Sequence, residues 1–111
     1  MFPKLREAGI RLLLGDDYGF AMMPHGDYAS EMELYVKHGV EPIEVMRWAT
    51  RNGARAMGTR GADLGAIEEG KLADLIVVNG DPTSDVGVHR DPQNIALVVK
   101  AGIIEKDLLS L

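Results

Sequence analysis

The segment Arg11-Leu12-Leu13-Leu14-Gly15-Asp16-Asp17 constrains this chain more than any other. A short apolar run ends in a glycine and two carboxylates, and a glycine-bearing loop follows. A buried strand delivers an acidic side chain to the rim of a sheet or barrel in this way. In α/β barrels the groups that do chemistry sit at the C-terminal ends of the strands. The run Ile10 to Leu14 could also be a turn of buried helix, but its five-residue length and the terminal Gly15 favour a strand. A strand apolar on both faces belongs to a parallel sheet covered by helices. Only ten residues precede Arg11, so the expected strand has no earlier strand in this chain to pair with.

With 111 residues the chain has the size of one domain and can bury a core. Its net charge of −5 and scattered Lys and Arg argue against a nucleic-acid partner or a membrane surface. The absence of cysteine removes disulfides and thiolate metal sites and suits a cytoplasmic location. No apolar stretch reaches the roughly 18 residues of a spanning helix. The start, Met1 to Glu7, lacks the apolar centre of a signal peptide.

Character changes near Gly58, which divides the chain into residues 1–58 and 59–111. In the first part, residues 3–9 read as a helix end stopped by Gly9. Asp27 can cap a helix over about 28–38, with Glu31 in the first turn, where the helix dipole favours a carboxylate. Pro42 opens a second helical run to about 57, which Asn52-Gly53 breaks or kinks. In the second part, 64–67 is a short extended piece and Ala73 to Val78 a strand closed by Asn79-Gly80-Asp81-Pro82. A polar connection over 83–94 leads to a strand from Ile95 to Lys100. Ala101-Gly102 then turns the chain back into a hairpin partner, Ile103 to Glu105.

Taken in order, these blocks resemble metal-dependent amidohydrolases. Leu14-Gly15-Asp16-Asp17 sits where that family carries a strand-end Gly-Thr-Asp. The helix with Glu31, Glu33 and Leu34 resembles its E-x-E-L helix, and Val40 to Val45 its next helix start. Ala49-Thr50-Arg51-Asn52-Gly53-Ala54-Arg55-Ala56-Met57-Gly58 looks like its A-T-x-N-x-A-x-x-h-G block. Leu64 to Val78 is similar to G-x-I-x-x-G-K-x-A-D-h-V-h-h, and Ile95 to Ile104 to its closing strand pair. The blocks cover nearly the whole chain. Its greatest similarity is to the imidazolonepropionase- and prolidase-like branch.

The resemblance implies an α/β fold: the C-terminal fragment of a (β/α)8 barrel, with strand 10–14 as its last strand and the helices that follow it. Residues 59–111 would form part of a small β-sandwich. It implies hydrolysis of a carbon–nitrogen bond in a small amide, cyclic amide or dipeptide-like substrate through a metal-activated water. In such enzymes the strand-end aspartate binds a divalent metal, usually zinc, and accepts a proton from the attacking water. The motif assigns both roles to Asp17. Asp16 departs from the family's Thr, and adjacent strand residues point to opposite sides, so one of the two carboxylates can face a site. The family's His-x-His pair, bridging lysine and further histidines have no counterpart here. The three histidines are His25, His38 and His89. Catalytic zinc usually takes three protein ligands, so the chain by itself is expected to hold no metal and to lack activity. Its partner would be the missing N-terminal part of the barrel or another copy of itself.

Other readings stay open at single residues. His25 can line the mouth of a site and touch substrate, or make a loop hydrogen bond. His38 reads as a helix-end dipole partner and His89 as an exposed loop residue. Tyr18, Phe20, Met22 and Met23 can shape a pocket or cover the end of the strand. Lys71 and Asp74 read as a turn-and-strand signature, and Glu31 and Glu33 as solvated or paired helix residues. For the chain as a whole, a second reading is a non-catalytic assembly module that pairs through the exposed strand. A third is a site built between subunits from His25 and Asp17.

Overall fold

A computed structural model of the chain describes residues 1–15 and 25–110. Asp16, Asp17, Tyr18, Phe20, Met22 and Met23 lie outside the described residues. Four short α-helices come first: α1 (Phe2–Glu7), α2 (Ser30–Lys37), α3 (Pro42–Arg47) and α4 (Gly53–Ala56). A π-helical stretch, Trp48–Asn52, joins the last two, so the expected break at Asn52-Gly53 is a widened turn and not an interruption. A 3-10 turn, Gly58–Gly61, ends the helical part. Three strands follow: β1 (Leu75–Val78), β2 (Ile95–Lys100) and β3 (Ile103–Asp107). A second 3-10 turn, Val86–Arg90, lies between the first two strands.

The sheet is antiparallel in the order β1-β2-β3. Its register pairs Val77 with Leu97 and Lys100 with Ile103. Ala101 (φ 49°) and Gly102 (φ 79°) both take left-handed backbone, as a two-residue primed turn requires. The Asp74 carboxylate accepts a hydrogen bond from the Ala101 amide at 2.6 Å, and the Gly102 amide donates to the Ala73 carbonyl at 3.1 Å. The block containing Lys71 and Asp74 therefore closes a hairpin, as its sequence suggests. Lys71 Nζ donates to the Ala62 carbonyl at 2.7 Å.

The core sits under α2 and α3. Val45 is fully buried, with Val40, Trp48 and Val86 around it. Phe2, Tyr35 and Trp48 interlock edge to face, with ring centroids 5.1 to 6.1 Å apart. Leu12 and Leu14 pack against this cluster from one side. Gly61 and Gly65 bring the chain close over α4. A Cβ on Gly61 would lie 1.8 Å from the Ala54 carbonyl oxygen.

Three sequence expectations change here. Residues 10–14 form no strand, because a strand is defined by its hydrogen-bonded neighbour and none of the described residues supplies one. Residues 64–67 are bent and not extended, since the chain turns at Gly65 (φ 79°). Helix α2 begins at Ser30 with Ala29 as its cap, not Asp27. The Asp27 carbonyl accepts from the Ser30 amide and hydroxyl, which leaves its carboxylate for another partner.

Candidate functional site

The acidic pair follows residues 10–15, so the site is built from what holds that stem. The Ile10 amide donates to the Leu5 carbonyl at 3.0 Å. Asn52 Nδ2, on the π-helical stretch, donates to the Leu12 carbonyl at 2.6 Å. The Gly15 amide points at Glu31 Oε1 at 3.4 Å. Burial alternates along the stem: Leu12 and Leu14 are half-buried against the helices, whereas Leu13 and Gly15 are exposed. This is the period of an extended chain with one covered face, in place of the two covered faces expected of a fully buried strand.

Glu31 is buried and hydrogen-bonded, so of the two readings left open, solvated or paired, it takes the second. A carboxylate out of water needs donors. It accepts from the Gly15 amide and from the Tyr35 hydroxyl one helical turn away. Glu33 faces elsewhere and binds Arg90 Nη1 at 3.1 Å. The same guanidinium grips Asp27 through Nε at 3.1 Å and Nη2 at 2.8 Å. Its hydrogen bonds to Asp27 and the charges of Asp27 and Glu33 hold the Arg90 pKa above its ordinary value. Arg90 thus ties the 3-10 turn before β2 to the start of α2, more than fifty residues earlier.

The histidines are dispersed. His25 is exposed, and its Nδ1 lies 2.9 Å from the Tyr28 hydroxyl, a hydrogen bond within its own loop. His38 caps the C-terminus of α2, with its ring 6.4 Å from that of Phe2. His89 is half-buried and its Nδ1 pairs with the Val86 carbonyl at 2.9 Å, which corrects the exposed position expected of it. The tight 3-10 turn, capped by Asp85 at the Gly87 amide, folds the ring back. Among the described residues no three His, Cys, Asp or Glu side chains converge as a metal site would require. They do not fit a bound metal by themselves. Asp17 lies outside them.

A cleft of about 650 Å³ opens beside the stem, lined by Leu14, Gly15, Tyr28, Glu31, Met32 and Arg90 among others. Its wall is largely apolar, with carboxylate and guanidinium groups at its edge. That combination can hold a small organic molecule by its apolar part and orient a polar group.

Comparison with known proteins bears on this arrangement. The sequence profile of the amidohydrolase family matches residues 1–104. Ochratoxinase of Aspergillus niger is 31% identical over 101 residues, which cover 90% of this chain and 20% of the enzyme. Imidazolonepropionase of Aromatoleum aromaticum is 33% identical over 102 residues, 91% of this chain and 24% of its own length. Among solved structures, a Xaa-Pro dipeptidase with methionine bound in its active site superposes with a TM-score of 0.82 at 33% identity. The match covers 95% of this chain and 24% of the dipeptidase. The chain therefore spans about a quarter of the length of the relatives it matches.

Proposed function

The chain belongs to the amidohydrolase family, and on that premise we propose that it is the C-terminal portion of a hydrolase that cleaves a carbon–nitrogen bond in a small amide, cyclic amide or dipeptide-like substrate. In this reading residues 1–58 end the barrel and residues 59–111 belong to the β-sandwich beside it. Asp17 is the carboxylate that serves the reacting centre. The observation that carries the assignment is the alternation along the stem. Leu12 and Leu14 pack on the helices that would surround a barrel, and Leu13 does not. Asp17 has the parity of Leu13, and Asp16 that of Leu12 and Leu14. If that alternation ran on through the acidic pair, Asp17 would be the carboxylate on the side away from the helices, in agreement with the motif match.

Asp17 would accept the proton of the attacking water and return it to the departing nitrogen, the role of a positioned general base and acid. A divalent metal, zinc by family resemblance, would when bound make water acidic enough to attack near neutral pH. Its remaining ligands would come from strands that precede this segment, and the chain alone would not turn substrate over. His25 would stand near the mouth of the site.

The relatives suggest the test. The longer protein, purified with its metal, is offered N-acyl amino acids, Xaa-Pro dipeptides and cyclic amides, and release of the amine or acid is measured. Hydrolysis of one class supports the reading. No hydrolysis of any, by a folded and metal-loaded protein, contradicts it. A second reading, pairing with another chain through residues 10–14, is favoured by the exposure of Ile10 and Leu13 beside the unladdered stem.

A further inference from the structure

We propose that a recess lined by Arg51, Arg55 and Lys71 binds a phosphate-type oxyanion, either the free ion or the phosphate group of a small molecule. The recess has a volume of about 330 Å³ and lies between the helical stretch of residues 51–55 and the chain of residues 58–71. Its lining shares no residue with the cleft beside the stem, so the proposal is independent of the role of Asp17. The whole chain carries a net charge of −5, yet this recess gathers three cations against one carboxylate, that of Glu68. A concave surface with one prevailing sign of charge concentrates ions of the other sign. Lys71 is already engaged: its Nζ donates to the Ala62 carbonyl at 2.7 Å and stands 3.9 Å from Glu68. The two arginines are not. Among the described residues neither Arg51 nor Arg55 has an ion pair or a side-chain hydrogen bond, whereas Arg47 pairs with Glu44, and Arg90 with Asp27 and Glu33.

Residues four apart are neighbours on a helical surface, and like charges at that spacing repel. A bound oxyanion removes this repulsion. The helix dipole accounts for only one of the two: Arg55 lies in the last turn of α4, where a cation is favoured, but the effect fades beyond that turn, and Arg51 lies one turn earlier. The opposite wall is fixed by its own backbone. The Leu64 amide donates to the Gly61 carbonyl at 3.1 Å, and the Leu72 amide to the Asp63 carbonyl at 2.9 Å. Gly65 seats this wall directly on the helix, where a Cβ would lie 2.6 Å from that of Ala54 and 3.2 Å from the Arg51 Cα. A guanidinium offers paired N–H donors that match two oxygens of a phosphate, which an ammonium does not. A monocarboxylate is matched by one such fork, whereas phosphate has oxygens for two. A pair of arginines on one fixed recess therefore favours phosphate.

The test titrates the 111-residue chain with inorganic phosphate at constant ionic strength, read by calorimetry, with the folding of each variant checked by circular dichroism. If the chain does not fold by itself, the longer protein is titrated in the same way, and the arginine variants separate this recess from the metal. Phosphate should bind once per chain with a Kd on the order of a millimolar. Arg51→Gln and Arg55→Gln should each weaken binding on the order of tenfold, and Arg55→Lys should recover only part of that loss. Both arginines are exposed, so these variants should fold. Arg60→Gln removes the same charge outside the lining and should leave the affinity unchanged. Glycerol phosphate binding more tightly than phosphate supports a small-molecule ester as the ligand, and weaker binding supports the free ion. Saturable binding that is lost in the two recess variants and kept in Arg60→Gln supports the site. Absence of saturable binding, or equal weakening by Arg60→Gln, overturns it, and Arg51 and Arg55 are then solvated surface charges.

Discussion

Around Trp48 the chain is held by side chains, whereas the β1-β2-β3 sheet is held by its backbone. Beneath α2 and α3, Val45 is fully buried and three aromatic rings meet edge to face. In the sheet, the ladder is regular apart from one shift in each pairing. Yet Ile76, Ile103 and Ile104 remain 47%, 65% and 50% exposed, and only Ala96 and Leu97 of the strands are buried. Ile103 and Ile104, adjacent on β3, project to opposite faces, so the strands leave apolar side chains uncovered on both sides of the sheet. The helical side therefore resists loss of a backbone contact and suffers from loss of a side chain, and the sheet does the reverse.

Trp48→Ala should break the contrast most visibly. Truncating a buried aromatic costs about 3–5 kcal/mol, a large part of the margin of a small domain, so the urea midpoint should drop steeply or the transition vanish. Gly61→Ala comes next. Its new Cβ would meet the Ala54 carbonyl oxygen, which belongs to backbone and cannot swing aside. Overpacking of this kind costs about 1–3 kcal/mol, and the same measurement reads it. Ile103→Thr should fall within about 0.5 kcal/mol, the range of surface substitutions, and should reduce any concentration-dependent association seen by light scattering. A large loss at Ile103 would show that the sheet also depends on its side chains.

The smallest effect is at Asp81. Hydrogen bonds from the Thr83 and Ser84 hydroxyls and the Thr83 amide hold its pKa below the ordinary 3.8. A lowered folded-state pKa means the unfolded chain binds the proton more tightly. The stabilisation is therefore present above about 3.8 and is lost as pH falls through the lower folded value. Asp81→Asn should leave stability at neutral pH slightly reduced and flatten its dependence below pH 4, measured by thermal melts across pH. Asp81 is exposed, so solvent screening keeps the change small.

These contrasts also separate what the sequence made legible from what it did not. The hairpin and the helices α1, α2 and α3 are written in neighbouring residues: Ala101-Gly102 for the turn, Pro42 for a helix start, and β-branched runs for the strands. Asn52, Asp27 and Glu31 depend on partners that pattern does not reveal. Asn52 reads as a helix breaker, yet it reaches the Leu12 carbonyl, 40 residues away. Asp27 reads as a cap, but its carboxylate is taken by Arg90, 63 residues on. Glu31 reads as a solvated or paired helix residue, and its burial beneath Gly15 is not visible in the pattern. One signal was available: two glutamates separated by a single residue face different sides of a helix, so they do not share one solvated surface. Residues 10–14 carry the pattern of a strand, but a ladder needs a neighbour, and none lies among the described residues. At the site, the stem and its anchors are described, while Asp17 itself rests on motif and parity.

The most direct test of the account compares Asp17→Asn with Asp16→Asn in the longer, metal-loaded protein, with folding checked by circular dichroism. Asparagine keeps the shape of the side chain and removes its charge and basicity. Loss of a general base costs on the order of 10²–10⁴-fold. The account predicts a loss of at least that size in kcat for Asp17→Asn and a far milder one for Asp16→Asn. Equal losses at the two positions, or a larger loss at Asp16, would contradict it.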